Sequence, residues 1–174
     1  MQFWTAYLSS LPEDTILDAR SCAGGFDAGE VAHRDPSDRL ATLSRNVVFL
    51  AKKFDLSHRN LAPADSSSPA KVWFVVEDVP GACSNGNGII DNTAQGSKVT
   101  VTALAYTPCT AVLANGAGAV WTGSIYVKRW EPQGTLVLDL KPIGFPGIRD
   151  WSGTPVNTKT TIIWGELISQ RDLP

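Results

Sequence analysis

The chain has 174 residues, a length at which one hydrophobic core can form without metal or disulfide staples. Its formal net charge of −2, from 15 basic and 17 acidic residues, supplies no global basic field for nucleic acid and no acidic tail. No stretch approaches the ~20 apolar residues of a membrane helix, so the composition excludes a helical membrane span and points to an ordinary globular domain.

The first residues, Met1–Tyr7, lack a basic region and a long apolar run, so no secretory leader is expected. Over residues 1–36, Leu8, Leu11, Ile16 and Leu17 hint at a short helix. Pro12, Gly24 and Gly25 interrupt it, and the region reads as an irregular arm packed on the core. His33-Arg34-Asp35 shares its letters with a kinase catalytic loop, but no glycine-rich nucleotide loop or Asp-Phe-Gly accompanies it. Residues 37–54 predict an amphipathic helix capped by Ser37, with Leu40, Leu43, Val47, Leu50, Ala51 and Phe54 forming one apolar stripe. Arg39, Arg45, Lys52 and Lys53 fall off that stripe. With His58 and Arg59 they read as a solvated basic face, or as a weak anion or RNA contact. Residues 62–70, rich in Ser, Pro and Ala, are a loop.

After residue 70 the period changes to two. Lys71–Val79 is apolar on both faces and predicts a central strand. Residues 80–96 are rich in turn residues, and Lys98–Thr107 alternates, with Val99, Val101, Ala103 and Ala105 on one face. Asn115-Gly116 marks a turn, and Val120–Trp130, Thr135–Lys141 and Thr160–Gln170 predict further strands. No βαβ alternation and no internal repeat is visible. The expectation is one domain over 1–174, with an arm and helix over 1–61 and a β-sandwich over 71–170. The fold class is mainly β: an antiparallel sandwich or jelly roll carrying one α-helix.

Candidate chemistry is sparse. Cys83–Asp91 contains an Asn85-Gly86-Asn87-Gly88 run that resembles a calcium loop. Cys83 stands where the first Asp belongs and Ala94 where the bidentate Glu belongs, so a turn is the simpler reading and no cofactor is expected. Cys22, Cys83 and Cys109 have no zinc spacing. A Cys83–Cys109 disulfide suits their loop positions, while the odd count and missing leader favour reduced thiols. His33 and His58 lie in no recognisable nucleophile motif. Glu77, Asp78, Glu131, Asp139, Asp150 and Glu166 could serve two-carboxylate catalysis, but surface solubility explains them as well. Trp73, Trp121 and Trp164 read as core. Tyr126 and Trp130 share a strand face with Lys128, an aromatic pair able to contact a partner or stack on a sugar.

Three segments, Ser124-Ile125-Tyr126-Val127-Lys128, Thr135–Leu140 and Thr160–Leu167, resemble the last strands of small single-jelly-roll viral coat proteins, as does the chain length. The chain departs from many of them in having no Arg/Lys-rich N-terminal arm. The resemblance implies a structural subunit of a virion that self-associates, with itself as main partner, and it carries over no catalytic residue. The function expected is therefore a non-enzymatic self-assembly protein. A carbohydrate- or ligand-binding β-sandwich is the alternative, and a two-carboxylate hydrolase the third reading.

Overall fold

The computed structural model describes residues 8–21, 26–27, 40–56, 60–67, 69–92, 98–113, 119–132 and 136–144. The chain divides into two compact units, Met1–Ile143 and Gly144–Pro174. Every described element lies in the first unit, and each is a strand: β1 (Thr15–Asp18), β2 (Phe26–Asp27), β3 (Leu40–Leu43), β4 (Val47–Leu50), β5 (Phe54–Asp55), β6 (Asn60–Pro63), β7 (Lys71–Val75), β8 (Ile90–Asn92), β9 (Lys98–Leu113), β10 (Ala119–Pro132) and β11 (Leu136–Leu140).

All strand pairs are parallel. Their registers resolve into three ladders. In one, Thr15, Val47, Val72, Ala103, Gly123 and Leu140 follow one another across β1, β4, β7, β9, β10 and β11. In the second, Phe26, Phe54, Ile90, Ala111 and Trp130 run through β2, β5, β8, β9 and β10. In the third, Ala41, Leu61, Val99, Trp121 and Leu138 run through β3, β6, β9, β10 and β11. Each circuit of the chain thus adds one strand to each side, which is the winding of a parallel β-solenoid. β9 and β10 are long because each bends through all three sides. Register shifts between Trp121 and Gly123 and between Val127 and Arg129 mark the corners.

This arrangement corrects the expected antiparallel jelly roll. Turn residues suggest reversals between antiparallel neighbours, but a solenoid turn is a corner, and the strand that follows keeps its sense around the coil. Parallel strands need a long crossover, and here the rest of the coil supplies it without a helix. The coils differ in length, so no repeat shows in the sequence.

The expected helix over 37–54 is also overturned. Residues 40–55 contain β3, β4 and β5, and residues 37–39 lie outside the described residues. Apolar spacings of three and four suit a helix, but they also arise when short strands are separated by corners. Val47, Phe49, Ala51 and Phe54 are buried, while Val48 and Leu50 are half-buried on the other face. Two adjacent β-branched residues and a Phe fit a pleated surface between β1 and β7, and that pairing overrides helix propensity.

Asn46, in the turn before β4, fixes three coils to one another. Its backbone and side-chain N–H groups donate to Asp14 at 3.0 and 2.8 Å, its carbonyl accepts from Thr15 N–H at 3.0 Å, and its side-chain oxygen accepts from Lys71 N–H at 2.8 Å. Ser44 and Arg45 in the same turn donate to the carbonyls of Leu8, Leu11 and Pro12. Those bonds hold the arm whose Leu8 and Leu11 enter the core.

The interior alternates large and small residues. Phe49 stacks on Phe74 with ring centroids 5.5 Å apart, Phe54 meets Phe74 edge-on at 5.4 Å, and Trp121 lies 6.2 Å from Phe74. The coil of β9 offers them Ala103, Ala105 and Ala111, all fully buried. Close packing leaves no room for larger groups there. At Gly123, with φ of +129°, a Cβ would run into the Ala103 carbonyl oxygen, so only glycine fits this corner.

The strand reading separates two residues that a helical stripe would treat alike. Leu43 is 1% exposed inside the solenoid, whereas Leu50 is half-buried on its outside. Leu43→Ala is expected to cost about 2–5 kcal/mol in a denaturant titration. Leu50→Ala is expected to cost about 1 kcal/mol or less.

Candidate functional site

The corner between Val127 and Arg129 decides what the coil of β10 presents. Before it, Ile125 and Val127 pack against the core and Tyr126 is 47% exposed; after it, Trp130 packs against the core. The shift changes which alternate residues point inward. Tyr126 and Trp130 therefore do not form one aromatic pair. Tyr126 and Lys128 are exposed, while the Trp130 ring turns in. The indole Nε1 atoms of Trp121 and Trp130 are both buried and find no acceptor among the described residues.

Of the basic residues, Arg45 is occupied by the carbonyls of Pro12 and Ser44. Lys52 and Lys53 lie beyond the far end of β4 from Arg45, so the helix face expected to gather them does not exist. Arg39, His33, His58, Arg59 and Cys22 lie outside the described residues, as do Ala94, Asp150, Glu166 and Trp164. Each described candidate acid has a partner: Glu77 binds Arg20, Asp78 accepts from Tyr106, Glu131 binds Arg129, and Asp139 binds Lys141.

One electrostatic cluster among the described residues was not evident in the sequence. Arg20 holds Asp18 through two side-chain bonds of 2.9 and 2.7 Å and Glu77 through a third of 2.9 Å. The Arg20 hydrogen bonds bring the Asp18 carboxyl down from 3.8 to about 2, and the same carboxylate holds the guanidinium above its ordinary value. The cluster is exposed, which makes it a clamp between the first coil and the chain after β7. On the same outer face, Tyr106 and Tyr126 sit in register on adjacent coils, and Tyr106 donates to Asp78 at 3.4 Å. Burial, then the Asp78 charge, raises the Tyr106 phenol.

The Asn85–Gly88 segment is a run of turns. Ser84 N–H donates to Gly81, Asn87 N–H to Ser84 and Gly88 N–H to Lys52, while Asn85, Gly86 and Gly88 take positive φ. A Cys83–Cys109 disulfide ties this loop to β9, with Cα atoms 5.5 Å apart, which corrects the expectation of reduced thiols. Buried Thr107 completes the tie by donating to the Gly88 carbonyl and accepting from Cys109 N–H at 3.1 Å. Beside the bond lies a shallow depression lined by Asn87, Ile89, Thr110, Val112 and Glu131.

One feature was missed entirely: an ion pair on the second half of β10. β11 pairs with β10 from Ala119 to Gly123, and just beyond it Lys141 N–H donates to the Gly123 carbonyl at 3.2 Å while the Ser124 hydroxyl donates to the Lys141 carbonyl at 3.0 Å. From Arg129 to Pro132, β10 pairs with β9 alone among the described residues. Exposed Arg129 and half-buried Glu131 stand there, joined at 3.0 Å. Their spacing of two on a strand was the available signal, since it places opposite charges on one face.

Reducing the disulfide frees a loop closed over a sequence separation of 26. The chain-entropy estimate for that loop is about 3–4 kcal/mol. Dithiothreitol, or Cys83→Ser with Cys109→Ser, should lower the melting temperature, and an unchanged melting temperature would contradict the staple. The Asp18 shift has a definite sign. Its folded pKa lies below its unfolded one, so its contribution is present above about 3.8 and lost as pH falls towards about 2. Arg20→Gln should flatten stability over that window and return Asp18 to its ordinary titration by NMR.

Among the described residues, no helix is long and apolar enough to cross a membrane. No protein family, no curated protein and no solved structure matches the chain.

Proposed function

We propose that this chain is a non-enzymatic structural subunit that associates with copies of itself. The observation that carries the reading is a group of exposed apolar side chains on two adjoining strands. Tyr126 on β10 is 47% exposed, and on β11, which pairs with β10, Val137 and Leu140 are 55% and 47% exposed. Neighbouring exposed apolar groups are the usual makings of a protein contact. The near-neutral charge sets up little long-range repulsion between copies. The Cys83–Cys109 bond suits an oxidising setting. The jelly roll implied by the coat-protein resemblance is not the fold of the described strands, and Thr160–Leu167 lies outside them. The proposal therefore keeps self-association and drops the jelly roll.

A second reading has one observation of its own. Tyr106 and Tyr126 occupy neighbouring rungs, about 4.8 Å apart by strand spacing, with Asp78 beside them. Such a platform suits a sugar ring, which stacks on aromatics and donates hydroxyls to a carboxylate.

Light scattering and sedimentation of the purified chain over a wide concentration range separate the two. Self-association predicts oligomers that Tyr126→Asp with Leu140→Asp shifts towards monomer without loss of strand content. A monomer at every concentration, with glycan-array binding abolished by Tyr126→Ala, would replace the structural reading by the carbohydrate one.

A further inference from the structure

We infer that Asn85 is a modification site: its side-chain amide is lost through a succinimide formed with the Gly86 nitrogen, while Asn87, which is also followed by glycine, is spared. The inference is independent of the self-association reading. The chemistry needs no enzyme. The backbone nitrogen after an asparagine gives up its proton and attacks the asparagine Cγ. A new N–Cγ bond forms, the Cγ–Nδ2 bond breaks, and the amide leaves as ammonia with that proton. Water then opens the ring at one of its two carbonyls. Opening at Cγ leaves aspartate; opening at the backbone carbonyl leaves isoaspartate, whose main chain runs through Cγ. No electrons are transferred, and one ammonia is lost for one water gained.

Glycine after the asparagine favours the attack, because it has no side chain to shield the nitrogen. Both pairs have it, so the fold decides between them. Ser84–Asn87 is a type I′ turn: Asn87 N–H donates to the Ser84 carbonyl at 3.0 Å, and Asn85 and Gly86 have φ of 57° and 74°. Both central residues are exposed. Gly86 N–H donates to nothing among the described residues, and a Cβ at Gly86 would meet nothing within 4 Å. The attacking nitrogen is therefore unbonded and unhindered. Gly88 is the opposite case. It is buried, its N–H donates to the Lys52 carbonyl at 2.7 Å, its carbonyl accepts from the Thr107 hydroxyl, and the Cys109 sulfur crowds the place of its Cβ. Attack by the Gly88 nitrogen must first break the bond to Lys52, so it proceeds only from a locally opened state.

The products alter this loop. Either one adds a carboxylate next to Gly86, which with Glu131 lines the depression beside the disulfide. Isoaspartate also adds a main-chain atom to a turn tied at Cys83 by the disulfide and at Gly88 by its two hydrogen bonds. The added length has to be taken up within residues 84–87.

The test is peptide mapping of the purified, disulfide-bonded chain after warm incubation in mildly alkaline buffer, with circular dichroism to confirm folding. Trypsin, after reduction, releases Val72–Lys98 as one peptide, and its fragmentation assigns each amide-to-acid mass gain to Asn85 or Asn87. The same chain incubated in guanidinium chloride is the reference, because there both nitrogens are equally free. Conversion at the two positions should be comparable in denaturant, and in the folded chain at least about tenfold faster at Asn85 than at Asn87. Asn85→Gln, whose longer side chain closes a ring far less readily, should remove the gain at position 85 without creating one at Asn87. Equal or faster conversion at Asn87 in the folded chain would overturn the inference. So would conversion at neither position in the folded chain while the denatured chain converts at both.

Discussion

The register of the parallel ladders is the constraint on which the rest of this structure depends. Every coil must offer its neighbours the same order of N–H and C=O groups on three sides, so each interior position stacks on the same position of the coils before and after. A bulky ring in one coil therefore dictates the size of the residue beside it. Phe49 and Phe74 lie in one stack with Ala105, and Trp130 lies in register with Ala111. Gly123 is the extreme case, because the Ala103 backbone occupies the place of its Cβ. In a close-packed interior such matching separates one register from another, since a slip of one residue would turn the core outward.

The polar features outside the barrel of coils serve the same register. Asn46 joins the starts of three successive strands with bonds from both its backbone and its amide. The Arg20 clamp joins Asp18, the last residue of β1, to Glu77 after β7 across the intervening coil. The Cys83–Cys109 bond and the Thr107 hydroxyl hold the longest described turn segment against β9. Each sits at or beside a corner, where the ladder hydrogen bonds give out. Exposed ion pairs contribute little singly, so the covalent tie and the Asn46 network carry more of this task than the Arg20 cluster.

Along the sides of a solenoid each strand is satisfied by two neighbours, and the outer surface is free to vary. β11 pairs with β10 from Ala119 to Gly123, and the chain just beyond it stays against β10 through the bonds of Lys141 to Gly123 and Ser124. The outward side chains Tyr126, Val137 and Leu140 around this junction are exposed, and they are what links the fold to the proposed assembly.

The sequence by itself determined that the chain is β-rich and which residues alternate inward on its clearest strands. Val99, Val101, Ala103 and Ala105 are buried as their period of two requires, and Trp73 and Trp121 are buried too. Those assignments depend on side-chain type within a few residues, which a single strand expresses fully. It also marked Asn85–Gly88 as a turn, because Asn and Gly reach positive φ at small cost. Only the tertiary structure decided strand direction, the conversion of the 40–55 stripe from helix to three strands, the Cys83–Cys109 pairing and the separation of Tyr126 from Trp130. Each of these depends on groups distant in sequence: the ladder that β4 joins, the coil that brings Cys83 to β9, and the corner that reverses the alternation after Val127. A corner and a hairpin can share the same Gly, Asn and Pro residues. What distinguishes them is where the chain goes next, and that is fixed by burial across coils, to which local sequence has no access.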